Sequence, residues 1–167
     1  MIIVGPLSKV QYLIDEHGAK HVVTLLAPDT AHDAPQRIAP GRHLKLYFHD
    51  IVQAMDGHVP PGAADAEKLI GFFESWDRKD PMLVHCWAGI SRSTAAAYTA
   101  LCMFRPDADE EELAQELRRA SPSATPNRLI VSLADDVLGR NGRMVKAIEG
   151  IGRGADAYEG TPFVLRV

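Results

Sequence analysis

Cysteine is scarce in this sequence, and so are long apolar runs and an excess of one charge; each scarcity excludes a class of protein. The two cysteines, Cys86 and Cys102, are too few for the disulfide framework of a small secreted protein. No apolar run approaches the roughly 20 residues of a membrane span, and no signal peptide precedes the first predicted strand. The net charge of −4 gives no reason to expect nucleic acid or an anionic membrane as a partner. These features predict a cytoplasmic protein with neither kind of partner.

Metal-binding patterns and internal repeats are missing as well. The seven histidines are scattered along the chain, without the close His or Cys pairing of a zinc site. We therefore expect neither a metal nor a cofactor.

What the sequence does contain is an alternation of apolar strands and helices. With 167 residues, of which 46% are hydrophobic and 24% charged, it has the size and composition of one globular domain. The predicted strands cover residues 2–4, 21–26, 44–48 and 81–84. The predicted helices cover residues 8–18, 63–78, 94–104, 109–120, 127–138 and 143–151, with Ser8 as the N-cap of the first and Gly18 as its end. This order predicts a single α/β domain over residues 1–167, with a central, mostly parallel sheet flanked by helices.

The C-terminal part, from about residue 140 to 167, is expected to be a helical and extended addition to the same domain. Its last eight residues, 160–167, fit either an edge strand or a packed tail.

The helix predicted over residues 94–104 is apolar nearly all round, which is typical of a buried helix. It contains Cys102, which at 1.5 Å per residue lies about 15–20 Å along the helix from Cys86. Because a disulfide needs Cα atoms within about 7 Å, we expect Cys102 to be a core residue and not a partner of Cys86.

The most informative stretch is residues 85–93, HCWAGISRS. A predicted strand leads into it and a helix follows, so its backbone N–H groups and the helix dipole both favour a bound anion. Arg92 can hold two phosphate oxygens with its planar guanidinium. The same positive field favours the thiolate of Cys86, and a thiolate beneath a phosphate is a nucleophile directed at phosphorus.

These nine residues resemble the signature loop of the cysteine-dependent protein tyrosine phosphatases, H-C-x-x-G-x-x-R-S/T, and most closely that of the dual-specificity branch. Strand and helix order matches that fold from residue 2 to 138, without further diagnostic residues, and the resemblance does not place the final residues, after 138, in the family core. The resemblance implies a protein tyrosine phosphatase-like fold and a phosphomonoesterase without a metal. It also implies a phosphorylated protein as substrate, carrying phosphotyrosine or, in the dual-specificity branch, phosphoserine or phosphothreonine.

The resemblance further implies roles for individual residues. Cys86 forms a thiophosphoryl intermediate, and Ser93 stabilises the thiolate when it leaves. His85 orders the loop and favours the thiolate, and Asn127 supports the loop, although its position fits a plain N-cap equally well. Arg92 and the loop amides bind the phosphate oxygens. The residues assigned to phosphate binding are Trp87, Ala88, Gly89, Ile90, Ser91 and Arg92.

The leaving group needs a proton, and a positioned acid is worth about 10²–10⁴-fold in rate. The family places an aspartate on the loop that follows the strand before the one leading to the cysteine. Asp50 directly follows the strand predicted over residues 44–48, whereas Asp56 has the more usual spacing of 30 residues before Cys86. We favour Asp50, because loop lengths vary freely, and keep Asp56 as the alternative acid. His49 and His58 flank this loop and are expected to be exposed or at the substrate rim.

Two other functions stay open at this point. The domain binds phosphate without hydrolysing it if neither aspartate reaches the pocket. Alternatively, the domain is a different enzyme that uses a similar loop. It is then a sulfurtransferase, which has no need of the Arg-Ser ending, or a phosphatase of lipid or nucleotide phosphates. Lipid phosphatases of the wider family carry lysines within this loop, whereas residues 85–93 contain none. Trp87 and Ile90, which are expected at the pocket rim, are apolar.

Overall fold

A computed structural model describes residues 1–167 and places a five-stranded sheet at the centre of the molecule. The strands are β1 (Ile2–Pro6), β2 (His21–Leu26), β3 (His43–Tyr47), β4 (Met82–Cys86) and β5 (Phe163–Leu165), in the order β3-β2-β4-β1-β5. The first four strands pair in parallel, and β5 pairs antiparallel with β1. Every residue of β1 and β4 is buried, as expected for strands covered on both faces. The predicted α/β fold with a mostly parallel sheet is confirmed.

Six helices cover the two faces of the sheet unequally. They are α1 (Val10–His17), α2 (Ala63–Ser75), α3 (Arg92–Phe104), α4 (Glu110–Ala120), α5 (Arg128–Leu138) and α6 (Arg143–Ile151). Helix α1 packs on one face in a cluster of 7 buried residues, and the other five contribute to a core of 32 on the opposite face. No helix combines the length and the apolar character that a bilayer span requires.

Several predicted boundaries differ from the observed ones; β1 and β4, for example, each continue two residues beyond their predicted ends, to Pro6 and Cys86. Ser8 is not an N-cap: it lies in a short 3₁₀ turn (Leu7–Lys9), and its hydroxyl donates to Glu159 Oε2 at 2.9 Å instead. Helix α2 ends at Ser75 and not at residue 78, because Trp76 is extended and its indole N–H donates to the Asp80 carbonyl at 2.9 Å. The strand predicted over residues 44–48 is shifted back by one residue.

Other boundaries agree with the sequence prediction. Gly18 ends α1 in the left-handed conformation, with φ of 64°. The C-terminal residues form an edge strand, β5, which was one of the two expected arrangements.

Helix α3 is buried on all sides, as its apolar composition predicts, and Cys102 is a core residue. Both cysteines are unpaired, and Cys102 has no exposed surface. Burial raises the pKa of the Cys102 thiol to about 12, so this thiol stays protonated. Its chemistry therefore differs from what is expected of Cys86.

Candidate active site

The loop of residues 86–92, here called the phosphate loop after the role expected of it, connects the carboxyl end of β4 to the first residue of α3. Ligands of parallel α/β sheets bind beyond the carboxyl ends of the strands, so this is the expected place for a site. Gly89 adopts φ of 71°, and a Cβ there would lie 2.8 Å from the backbone of Gly5. A glycine is therefore required twice over, by the backbone conformation and by the close packing against the end of β1.

The backbone of the phosphate loop turns its carbonyl groups outward. Donors from three other segments hold them: Leu7 N–H bonds the carbonyl of Trp87 at 3.1 Å, Gly160 N–H that of Ala88 at 2.8 Å, and Thr125 N–H that of Ile90 at 2.9 Å. A fourth carbonyl, that of Ser91, accepts from Ala95 and Asn127.

The amide groups of the same loop are left without acceptors. The N–H groups of Trp87, Ala88, Ile90 and Ser91 donate to no protein acceptor. Orphan amides at a helix N-terminus form a cradle for an anion, because each donor gains a hydrogen bond only when an oxygen arrives.

Cys86 Sγ is placed among hydrogen-bond donors. The Gly89 N–H donates to it at 3.2 Å, and the Ser93 hydroxyl lies 3.1 Å away. The residue is only 2% exposed. The Gly89 N–H, and the Ser93 hydroxyl when it donates, direct hydrogen atoms at the sulfur. The structure also brings Ser93 to the sulfur, where the role expected for it requires it to be.

Arg92 is buried with one edge of its guanidinium unused. The residue is 7% exposed, and its Nη1 donates to the Phe48 carbonyl at 3.0 Å. Its buried Nε has no partner. An unpaired buried donor costs about 1–3 kcal/mol, so the edge formed by Nε and Nη2 is held ready for an oxyanion. Phe48 thus fixes the guanidinium while leaving free the edge that binds two oxygens.

Asp50 is connected to the phosphate loop and Asp56 is not. The Ser91 hydroxyl donates to Asp50 Oδ1 at 2.7 Å, and Asn127 Nδ2 donates to the same oxygen at 2.8 Å. Both bonds fall on Oδ1, so Oδ2 has no hydrogen-bond partner in the protein. The side chain of Asp56 is exposed and makes no hydrogen bond or ion pair; its carbonyl contacts His58 Nδ1 at 3.0 Å.

Asn127 combines the two roles that its sequence position left open. Its Oδ1 accepts from Ile130 N–H at 3.0 Å, which makes it the N-cap of α5. Its Nδ2 donates to Asp50 and, at 3.2 Å, to the Ile51 carbonyl. One side chain therefore begins a helix and positions the candidate acid.

The two histidines beside this loop contact each other. His49 Nδ1 accepts from Val59 N–H at 2.9 Å, and the rings of His49 and His58 lie 4.7 Å apart, edge to face. His49 thus bridges the base of the loop that carries both aspartates.

His85 belongs to a chain of three polar side chains within the sheet. The Thr24 hydroxyl lies 2.7 Å from His85 Nε2 and 2.8 Å from His43 Nε2. Burial lowers the pKa of His85 to about 3 and that of His43 to about 4. Both rings are therefore neutral near pH 7. His85 fixes the residue before Cys86 through Thr24, and contributes no positive charge to the thiolate.

We expect acid to destabilise the folded protein through His85. Its folded pKa of about 3 lies below the ordinary 6.5, so the unfolded chain binds the proton more tightly, and stability falls as the pH drops below 6.5. Between pH 7 and 5 the loss from His85 is about 2 kcal/mol. Urea unfolding at both pH values is the measurement. In His85→Gln, the side-chain amide reaches Thr24 but does not titrate. Between pH 7 and 5 its free energy of unfolding should therefore fall by about 2 kcal/mol less than that of the wild type. Equal losses in the two proteins would contradict the assignment.

Three parts of the site had no signal in the sequence motif. They are the Phe48 carbonyl that anchors Arg92, the Thr24 hydroxyl, and the contact of the C-terminal residues with the phosphate loop. In that contact, Gly160 bonds Ala88, and Tyr158 packs edge to face on Trp87 with ring centroids 5.4 Å apart. Gly160 was the one available hint, because an isolated glycine marks a close backbone approach.

Comparison with known proteins identifies solved structures that share this fold. No protein-family model matches this sequence, and no curated protein sequence does. Solved structures do match. DUSP15 superposes with a TM-score of 0.65 at 17% identity, over 89% of this chain and 90% of DUSP15. The PTP-2 phosphatase of Cydia pomonella gives 0.62 at 22% identity, over 81% and 84% of the two chains. PTPMT1 in complex with PI(5)P gives 0.60 at 15% identity, over 84% and 94%.

These likenesses establish the fold. The chain has the fold of dual-specificity and related protein tyrosine phosphatases, as the resemblance of residues 85–93 predicts. Helix α6 and strand β5, which the sequence did not assign to the common core, follow residue 138.

Proposed function

We propose that this protein is a phosphomonoesterase that uses Cys86 as its nucleophile. One observation carries the proposal: a buried thiol lies in a loop whose amides, together with the free edge of Arg92, are arranged to bind an oxyanion. Such a site binds three oxygens of a phosphoryl group and places phosphorus above the sulfur. The whole of residues 1–167 forms one catalytic domain in this proposal.

In the first step, the Cys86 thiolate attacks phosphorus and the P–O bond to the leaving group breaks. Asp50 gives the proton on Oδ2 to the departing oxygen, and the phosphoryl group is then bonded to sulfur. The loop amides and Arg92 hold the three equatorial oxygens throughout.

In the second step, water attacks phosphorus and the P–S bond breaks. The Asp50 carboxylate takes a proton from this water, and inorganic phosphate forms. The Ser93 hydroxyl donates to Sγ as the electron pair returns to sulfur, which stabilises the leaving thiolate.

The proposed substrates are phosphoproteins carrying a single phosphate at the reacting residue. No lysine or arginine lies between Cys86 and Arg92, so the loop offers no side-chain cation for a second phosphate. This feature favours a protein side chain over an inositol lipid of the kind bound to PTPMT1.

The test of the proposed function is release of phosphate from p-nitrophenyl phosphate by the wild-type protein between about pH 4.5 and 8. We expect turnover with a bell-shaped dependence on pH. If the protein binds orthovanadate but releases no phosphate, it is a phosphate-binding module and the proposal is wrong. A sulfurtransferase would instead transfer sulfur from thiosulfate to cyanide, a reaction measured in the same preparation.

The acid is identified by comparing Asp50→Asn with Asp56→Asn. We expect Asp50→Asn to lower kcat for phosphotyrosine by about 10²–10⁴-fold and Asp56→Asn to change it less than about two-fold. The effect should be much smaller with p-nitrophenyl phosphate, because nitrophenol is the stronger acid and leaves with less need of a proton. A large effect of Asp56→Asn confined to phosphotyrosine would reverse the assignment.

A further inference from the structure

Residues 152–162, here called the C-terminal strap, run from the end of α6 past the phosphate loop to β5. The strap has no regular secondary structure, yet it is fixed along its length. At its start, the Arg118 guanidinium donates to the carbonyls of Ile151 and Gly152, both at 2.8 Å. In its middle, Gly154 N–H donates to Thr125 Oγ1 at 3.1 Å. Because these contacts order it, the strap presents its side chains in defined positions.

The strap touches the phosphate loop directly at Gly160. Its N–H donates to the Ala88 carbonyl at 2.8 Å, and a Cβ at this position would lie 2.8 Å from the Gly89 carbonyl oxygen. Only glycine permits this approach without movement of the loop backbone. The strap therefore contributes one of the bonds that turn the loop carbonyls outward.

Tyr158 projects from the strap beside the phosphate loop. Its ring packs on that of Trp87 at an interplanar angle of 77°, a stable edge-to-face arrangement. The pair is nevertheless open to solvent: Tyr158 is 79% exposed and Trp87, the residue after the nucleophile, is 42% exposed. Two large aromatic rings therefore pack on each other and stay exposed beside the phosphate loop. Such a surface can bind a further aromatic ring.

We infer that the C-terminal strap is part of the active site, and that Tyr158 with Trp87 forms a wall that contacts the aryl ring of phosphotyrosine. This inference rests on the proposed function. It assigns Tyr158 to substrate selection and Gly160 to the positioning of the loop, and it makes aryl phosphates better ligands than alkyl phosphates.

Binding to the Cys86→Ser protein tests the inference without turnover. The ligands are phosphotyrosine, phosphoserine and inorganic phosphate, measured by calorimetry with and without Tyr158→Ala. We expect Tyr158→Ala to raise the Kd for phosphotyrosine by about 3- to 10-fold and to leave the other two unchanged. Tyr158→Phe should restore the wild-type value. Tyr12→Ala, at a tyrosine of α1 that is 62% exposed, is the matched control and should change nothing.

Gly160→Ala tests the other half of the inference. Displacing the loop removes at least one amide bond to the phosphate, so we expect inorganic phosphate and phosphotyrosine to bind about 10-fold more weakly, and to equal extents. Gly150→Ala, at a helical glycine with nothing within 4 Å of the added Cβ, is the control.

The outcomes separate this inference from the proposed function. An unchanged Kd for phosphotyrosine in Tyr158→Ala, or an equal loss for all three ligands, would overturn the role of Tyr158. Tight phosphotyrosine binding that depends on Tyr158, in a protein whose wild type releases no phosphate, would support the strap and reject the hydrolase. Absence of phosphate binding in Cys86→Ser would reject both.

Discussion

Cys86→Ser is expected to lower kcat for aryl phosphates by at least about 10⁴-fold while the protein still binds phosphate. The reason is the set of groups around Cys86 Sγ. The groups within hydrogen-bond distance of Sγ are the Gly89 N–H and the Ser93 hydroxyl, which act as donors to a thiolate. A thiol is by nature far more acidic than a serine hydroxyl, which needs a general base to take its proton. No such base contacts the position.

The measurement is phosphate release from p-nitrophenyl phosphate, together with the Kd for orthovanadate. Cys102→Ala is the matched control: it removes the other thiol of the chain, which lies in the core of α3 and not in the loop. We expect its kcat to equal that of the wild type. Substantial turnover by Cys86→Ser, or its loss in Cys102→Ala with the fold intact, would exclude Cys86 as the nucleophile.

The strand–loop–helix arrangement around residues 86–93 could be predicted from the sequence because its residues are contiguous. Cys86, Gly89, Arg92 and Ser93 lie within one strand–loop–helix unit, so their spacing alone fixes how near they come. The burial of helix α3 could also be predicted, because its residues are apolar on every side. In both cases the determining interactions are local or follow from burial.

The interactions that complete the site could not be predicted in the same way, because their partners are distant in sequence. Arg92 is held by the Phe48 carbonyl, and the Ala88 carbonyl by Gly160 N–H. Backbone groups of this kind do not depend on residue identity, and the glycine at position 160 was the one hint of them in the sequence. Ser8 shows the opposite error: its local pattern indicates an N-cap, but Glu159 of the strap supplies a better partner for its hydroxyl.

The choice of Asp50 over Asp56 as the proposed acid rests on one of two sequence arguments. Position after a strand is fixed by the sheet, since β3 leads directly to Phe48 and the loop that follows. Spacing to the cysteine depends on the lengths of that loop and of α2, which nothing in the chemistry fixes. The bonds from Ser91 and Asn127 to Asp50 agree with the first argument.

Arg92→Lys is expected to lower kcat/KM by about 10²–10³-fold even though the charge is kept. Lysine offers a compact ammonium in place of a planar fork, so it cannot bond the Phe48 carbonyl and two phosphate oxygens in the same plane. Arg92→Met should lose more, because the charge is then absent as well. Arg128→Lys is the control, since Arg128 forms an exposed ion pair with Glu149 at 2.6 Å and lies outside the loop.

The unpartnered edge of Arg92 also predicts how stability responds to ligand. Phosphate that binds only the folded protein raises the free energy of unfolding by about 2.7 kcal/mol at 100 times its Kd. In Arg92→Met this gain should largely vanish at the same phosphate concentration. The free energy of unfolding of the ligand-free variant should fall only slightly, because the substitution removes an unpaired buried Nε together with the bond to Phe48. Thermal unfolding with and without phosphate measures both quantities. An Arg92→Met protein that phosphate still stabilises as strongly as the wild type would show that the oxyanion site is elsewhere.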